Sequence, residues 1–444
     1  MSRPRPGFLS PGASCLWPTT WEGAVTGTDF EPPFKGDYDG VPERKRPLLG
    51  SPPIDPTLLE PCLSGFPSDA RTLPADAYIS SDVFAWERKR FLWKSWFCVG
   101  RASELTSTGD QRAIDVGGRG VLLARGKDDV VRAFFNTCRH RGHELLACSG
   151  RPQNDGVIRC PYHRWVYGLD GAFRGGPGMS TQPGFDKDDP DNDLVPVRTE
   201  LWGGWIFVNV TGDARPLREH LGTVTSLMED YEPERLFLGE AHAYELKANW
   251  KIIVENYHEC YHCTEIHPEL CSVSAPGSGE DYERTGTVIG GSMELLPQAE
   301  TMSLDGKSLG VPFRKLSGRK LREVYYLELF PNLLLSVHPD YIMVHRLEPL
   351  APDATHVECA WFFPPEARMK TDFSPSYAAD FWDITNRQDW AACEAVQRGV
   401  GGPGYRQSPF SSQELIVHQS MAMVARGYLE GAVKPAETAT LSDG

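Results

Sequence analysis

Two short clusters carry the strongest chemical signal in this chain. Cys138-x-His140 and Cys160-x-x-His163 each pair a thiol with an imidazole, and nineteen residues separate them. Two Cys with two His fit a tetrahedral zinc ion. They equally fit a two-iron cluster in which the thiolates hold one iron and the imidazoles the other. The consequences differ: zinc there would be structural, whereas imidazole in place of thiolate raises a cluster's reduction potential, so that it can accept and pass on single electrons. Zinc ribbons usually present C-x-x-C halves, and neither half here does. His143 and Cys148, between the halves, read as non-ligands.

A second concentration of donors is Glu259-Cys260-Tyr261-His262-Cys263-Thr264-Glu265-Ile266-His267-Pro268. On one helix Glu259 and His262 share a face, but His262 and His267 diverge by about 140°. One ion can take both imidazoles only if the helix ends between them, and Pro268 is consistent with a break. Two His and one carboxylate on one face of Fe(II) leave positions open for oxygen and substrate. Cys260-x-x-Cys263 frames this motif and reads as two buried thiols. Gly399-Val400-Gly401-Gly402-Pro403-Gly404 satisfies G-x-G-x-x-G, but it follows a helix and contains Pro, so no nucleotide site is expected. Gly399 reads as a helix C-cap.

The run Cys138-Arg139-His140-Arg141-Gly142-His143 with Cys160-Pro161-Tyr162-His163-Arg164-Trp165 resembles the Rieske [2Fe–2S] domain. The 259–267 stretch resembles the mononuclear-iron motif of Rieske non-haem iron oxygenases: an acid, two spacers, His, four spacers, His. The likeness covers roughly residues 73–430. It implies that Cys138, His140, Cys160 and His163 hold the cluster and that His262 and His267 hold Fe(II). Glu259 is then the bridging carboxylate, joining an iron-bound His to a cluster His, His163, of a neighbouring subunit, with Asn256 supporting the site. The family's third ligand is an Asp on a C-terminal helix with a Glu five residues on, which fits Asp389 and Glu394; Asp383 and Glu394 are the alternative carboxylates.

The implied activity is oxygenation with O₂ and electrons from NAD(P)H. This chain shows no flavin or nicotinamide fingerprint, so a separate flavin/ferredoxin-type reductase is expected. A Glu at the bridging position, within Glu255-Asn256-Tyr257-x-Glu259-Cys260-Tyr261-His262-Cys263, looks like the branch that hydroxylates or demethylates quaternary ammonium compounds. Tyr282, Tyr325, Tyr326, Phe330 and Tyr341 are candidates for an aromatic cage. Aromatic ring dioxygenation by an alpha subunit is the rival reading, and a Rieske electron carrier the second. Members form homotrimers, some with a small beta subunit.

These groups need two kinds of scaffold, and the chain offers an α+β pattern. Residues 97–213 alternate short β-runs with Gly and Asp turns, as an all-β cluster domain requires. From 214 to 430, helical segments near 249–263, 376–398 and 411–428 flank hairpin signals at 323–330, 333–337, 341–348 and 355–363. That order suits a curved antiparallel sheet wrapped around a long helix, the helix-grip arrangement. Residues 1–72 are Pro-rich and read as an extended or disordered arm. A helix capped by Asp82 is expected within 73–96, packing on the catalytic domain, and 431–444 reads as a flexible tail.

A net charge of −15 argues against nucleic acid and anionic membranes as partners. The start lacks the apolar core of a signal peptide and no eighteen-residue apolar run occurs, which reads as cytoplasmic. Eleven Cys, an odd number, suit reduced thiols with a few metal ligands. Arg139, Arg141, Arg159, Arg164 and Arg174 crowd the cluster motif and form a local positive patch suited to an acidic ferredoxin domain.

Overall fold

The computed structural model describes residues 53–147 and 153–436. The Pro-rich arm through 52, Cys148 and the tail from 437 lie outside the described residues. Two units divide the remainder, one holding 101–199 and the other 53–100 with 200–436. No described helix is long and apolar enough to cross a membrane.

The first unit is built on short antiparallel strands in the order Pro196–Trp202, Val131–Phe135, Gly120–Arg125, Asp110–Asp115, Gln153–Asn154. The predicted β-run at 121–124 lies inside Gly120–Arg125 and is wholly buried. A second sheet joins Ile158–Arg159, Val166–Tyr167 and Phe173–Gly175. Between the sheets sits a small core of Leu122, Phe134, Trp165, Tyr167 and Phe173, which also encloses Cys138 and Cys160. Gly171 is required there: its φ is +88°, and a Cβ would lie 2.4 Å from the Phe134 ring.

The second unit is a seven-stranded antiparallel sheet. Its order is Phe237–Leu246, Ala354–Phe363, Ile342–Ala351, Leu333–Val337, Glu323–Leu329, Val288–Glu294, Asp281–Thr285. The four hairpin segments expected from Pro-Asn and Pro-Asp breaks are the centre of this sheet. Its curled face holds the helices Trp250–Tyr257, Ser376–Val400 and Leu415–Glu430. The middle strands are buried on both sides, because helices cover one face and a further core of Trp96, Trp205, Phe207 and Tyr231 covers the other. Strands Phe97–Arg101 and Trp205–Asn209 are neighbours in this second core.

Several local expectations change. Residues 53–72, read as an extended arm, instead form helical turns that bury Leu59, Cys62 and Ala70, tied by the Gln407 amide to the carbonyls of Leu58 and Thr72. The helix after them is capped by Ser80, whose hydroxyl accepts the Val83 N–H, and not by Asp82, which falls in its first turn. Gly399 lies inside the long helix, whose cap is Gly401. The helix expected over 249–263 stops at Tyr257.

That last helix is anchored from below. Lys251 Nζ lies 2.7 Å from Glu87 Oε1 with both side chains fully buried, and Trp250 Nε1–H donates to the other Glu87 oxygen at 3.0 Å. Asn249 caps its start by accepting the Lys251 N–H, and the Asn249 amide also donates to two backbone carbonyls.

Candidate functional site

In the first unit, Cys138 and His140 sit on one loop and Cys160 and His163 on another. Each loop is closed by a backbone bond: Cys138 N–H to the His143 carbonyl, and Cys160 N–H to the Trp165 carbonyl, both at 2.8 Å. Both Cys are buried, whereas His140 is exposed and His163 half-buried. The His140 and His163 rings lie 4.8 Å apart, and His140 stacks on Trp165 at 4.8 Å and 10°. This donor set, thiols inward and imidazoles outward, could hold a [2Fe–2S] cluster with one edge reachable from solvent. Tyr167 is an addition that motif spacing does not reveal. Its hydroxyl accepts the Arg139 N–H at 3.0 Å, so its own hydrogen is turned toward Cys138 Sγ, 3.2 Å away. A hydrogen bond to a ligand sulfur withdraws electron density and raises a cluster's potential.

In the second unit the Trp250–Tyr257 helix ends, and the chain turns through His258 to His262 before a short helix, Cys263–Ile266, with His262 and His267 at its two ends. Glu259 and His262 therefore do not share a helix face. Glu259 acts across the turn: its carboxylate accepts the backbone N–H of Tyr261 and of His262 and also binds His262 Nδ1. Cys260 and Cys263, expected as buried thiols, are joined as a disulfide across the same turn, and Cys260 is only half-buried.

Three donors converge. His262 Nε2 and His267 Nε2 are 3.1 Å apart, and Asp389 Oδ1 lies 2.8 Å from His267 Nε2 and 3.3 Å from His262 Nε2. Adjacent ligands on an octahedral ion at ~2.1 Å are separated by √2 times that length, ~3.0 Å. The triangle thus has the edge lengths of one octahedral face, and this trio could hold a metal ion. Asp383 and Glu394 are engaged elsewhere, Asp383 with Tyr244 and Arg387, Glu394 with the Lys247 N–H.

The surroundings set both imidazoles the same way. Gln388 Oε1 lies 2.7 Å from His267 Nδ1, and its amide is oriented because Nε2 donates to Glu269. Nδ1–H of His267 therefore donates to Gln388 and that of His262 to Glu259, which leaves both Nε2 lone pairs for the ion. Burial opposes protonating His262, but hydrogen bonds to Asp389 and Glu259 outweigh it and lift the imidazole to about 9. Burial alone would raise the Asp389 carboxyl, yet the two His hold it below its ordinary value. Asn256 lines the neighbouring cavity and makes no hydrogen bond to either His; Gln388, adjacent to Asp389, does that work.

The donors open into a cavity of about 340 Å³. Rings follow one another around it: Tyr257 to Tyr326 at 5.9 Å, Tyr326 to Trp382 at 6.3 Å, Tyr257 to His345 at 6.1 Å, His345 to Trp390 at 5.8 Å. Of the aromatic residues expected to form a cage, only Tyr326 lines it. Tyr282 and Tyr325 pack in the second core, and Phe330 and Tyr341 in two others. Among the described lining residues none is Lys or Arg, while Glu259, Asp281 and Asp389 are acidic.

Residues 95–186 match the Rieske [2Fe-2S] domain family, and 233–430 match the ring hydroxylating alpha subunit (catalytic domain) family. The glycine betaine monooxygenase oxygenase subunit of Pseudomonas aeruginosa is 29% identical over 374 residues, covering 77% of this chain and 85% of the relative. The carnitine monooxygenase oxygenase subunit of Acinetobacter pittii is 40% identical over 209 residues, 46% of this chain and 54% of the relative. The solved structure of the quaternary ammonium Rieske monooxygenase CntA in complex with substrate L-carnitine superposes with a TM-score of 0.67 at 26% identity, over 84% of this chain and 99% of that one. Two donor sets of different chemistry each lie inside the matching family segment: the chain joins a Rieske [2Fe-2S] domain to a ring hydroxylating alpha subunit catalytic domain, the domain pair of the Rieske non-haem iron oxygenases, which are oxidoreductases.

Proposed function

We propose that this enzyme oxidises a small quaternary ammonium compound at a carbon bonded to nitrogen, by hydroxylation or by loss of a methyl group. In this reading Cys138, His140, Cys160 and His163 hold the cluster, and His262, His267 and Asp389 hold Fe(II). The cluster supplies electrons one at a time, and the iron supplies O₂ activation. Overall, O₂, two electrons and two protons become one oxygen atom in the substrate and one water. Glu259 and Gln388 keep the two imidazoles in the tautomer that binds an ion. Glu259 also serves as the bridging carboxylate toward a cluster His of a neighbouring subunit, in a head-to-tail homotrimer working in the cytoplasm.

The observation that carries the substrate class is the wall of Tyr257, Tyr326, Trp382 and Trp390 beside the three donors, with carboxylates and no Lys or Arg among the described lining residues. A quaternary ammonium ion cannot donate a hydrogen bond, so recognition rests on ring faces and net negative charge. An arene would gain nothing from the acidic rim.

The test is product analysis. Holoenzyme with its reductase is incubated with a panel of trimethylammonium compounds and with naphthalene. Formaldehyde or an oxidised ammonium product is expected; a cis-diol alone would refute the assignment. Asp389→Asn is expected to lower iron from three to two per chain with the cluster spectrum intact.

A further inference from the structure

One motif has no part in the proposed chemistry: Cys260-x-x-Cys263, whose sulfurs are joined. The bond closes a ring of four residues, and His262 lies inside it. Stabilisation by a disulfide through the unfolded chain grows with loop length, and a loop this short gains least. Its effect is therefore local, on the turn that carries the His262 donor. Glu259 holds that turn from one side, accepting the His262 N–H at 3.1 Å and the Tyr261 N–H and binding His262 Nδ1. The sulfur bridge holds it from the other. Cys263 also reaches the second imidazole: its carbonyl accepts the His267 N–H at 2.9 Å and the Cys271 Sγ–H at 3.4 Å. One covalent bond thus fixes the backbone on which both His262 and His267 sit.

The pair is also placed for exchange. Cys263 is buried, but Cys260 is half-buried, both line the cavity, and Tyr261 between them is 56% exposed. Among the other described cysteines only Cys271 is not buried, and it packs against this same turn. Resting on the assignment of His262 and His267 to iron, we infer that Cys260 and Cys263 form a reversible thiol–disulfide pair, whose oxidised form retains the mononuclear iron and whose reduced form releases it, with a dithiol as the reducing partner. A thiolate of the dithiol attacks Cys260 Sγ, the Cys260–Cys263 bond breaks, and the Cys263 sulfur leaves as a thiolate that takes a proton. The partner's second thiol attacks the mixed disulfide and frees Cys260 as a thiol. The dithiol ends as a disulfide, having given up the two electrons and two protons that the pair has gained.

The test compares two forms of the unaltered holoenzyme. One is treated with diamide, whose N=N bond takes two electrons and two protons from a pair of thiols; the other is reduced with dithiothreitol and desalted without air. Alkylation with peptide mapping confirms that Cys260 and Cys263 are blocked in the first and labelled in the second. Each form then meets a ferrous chelator while the cluster's visible spectrum is followed. The reduced form is expected to lose its third iron about tenfold faster with the cluster spectrum unchanged, the low end of what loss of a group orienting a ligand costs. Reoxidation with diamide before the challenge should restore the slow rate. Cys260→Ser combined with Cys263→Ser should release iron at the fast rate after either treatment, which separates the sulfur pair from any direct action of the reagents on iron.

Equal release from the two mapped forms overturns the inference. So does a double variant that still responds to the reagents, or a pair that diamide fails to join. If both forms hold only two irons per chain, as Asp389→Asn is expected to, the ligand assignment falls and takes the inference with it. If the third iron is present and leaves both forms at one rate, only the thiol–disulfide role falls.

Discussion

Replacing Lys251 with Met should destabilise the catalytic unit in a manner that depends on pH. The Lys251–Glu87 pair is fully buried at 2.7 Å, and it fixes the helix that leads into Glu259 and His262. Removing the ammonium leaves a buried carboxylate with two remaining neighbours, Trp250 Nε1–H at 3.0 Å and the Tyr428 hydroxyl. If these cannot hold the charge, Glu87 stays protonated in the folded variant. At pH 7 that costs about 1.36 × (7 − 4.3), or ~3.7 kcal/mol, because the unfolded chain ionises freely near 4.3. A folded-state pKa raised above the unfolded one means that stability falls as pH rises through 4.3 and continues falling until the folded value is reached. Lys251→Met should therefore lose up to ~2.7 kcal/mol more at pH 7 than at pH 5. Combining it with Glu87→Gln, whose amide keeps one acceptor for Trp250 Nε1–H and can donate to the Tyr428 hydroxyl, should remove the part of that dependence due to Glu87; the remainder belongs to Glu255, which burial lifts to about 7 and Lys251 helps to hold down. Urea midpoints at the two pH values, followed by Trp fluorescence, give the comparison. An equal loss at both would show that the ammonium acts by packing and that Glu87 remains charged in the variant.

Two further outcomes follow from the same geometry. Gln388→Leu deletes the acceptor for His267 Nδ1 and frees the imidazole to adopt the wrong tautomer; iron affinity should fall about 10- to 100-fold, read as iron lost to a chelator while the cluster spectrum is unchanged, and undiminished retention would remove Gln388 from the site. Around the cluster, Arg159 and Arg174 pair with Asp155 and Asp170, whereas Arg139, Arg141 and Arg164 are exposed with no carboxylate partner among the described residues. Changing these three to Gln should slow reduction by the reductase and flatten its salt dependence, and a rate indifferent to ionic strength in the unaltered enzyme would dismiss this patch as the docking surface.

The metal motifs were legible because their information is local. Cys138-x-His140 and His262-x-x-x-x-His267 state their own spacing, whereas Asp389 came from the family resemblance, whose third ligand is an Asp followed five residues later by a Glu. The strand segments at 323–363 were legible for a similar reason, since Pro-Asn and Pro-Asp breaks punctuate apolar runs. What stayed hidden depends on where the chain turns. The apolar pattern through 250–254 reads on as helix past Tyr257, so the turn that lets Glu259 reach His262, and that brings Cys260 to Cys263, has no periodic signature of its own.

The cavity wall shows a subtler limit. Tyr325 and Tyr326 are adjacent on one strand, and successive side chains point to opposite faces, so one belongs to the second core and the other to the cavity. No count of aromatics could choose between them, because a strand without an anchor has an undetermined phase. The long helix did have an anchor. Once Asp389 is taken as a donor, residues 382, 385 and 386 share its face by the 3.6-residue period, which names Trp382, Thr385 and Asn386 as lining residues; Trp390, about 100° further round, borders that face. His345 was also signalled, as a lone imidazole in the otherwise apolar run 341–344, where a buried polar ring needs a partner. Its partner is Asn386, one turn before Asp389 on that same face. Cavity-lining groups on this helix could therefore have been reached by propagating helix phase from one candidate ligand, a route that aromatic composition cannot replace.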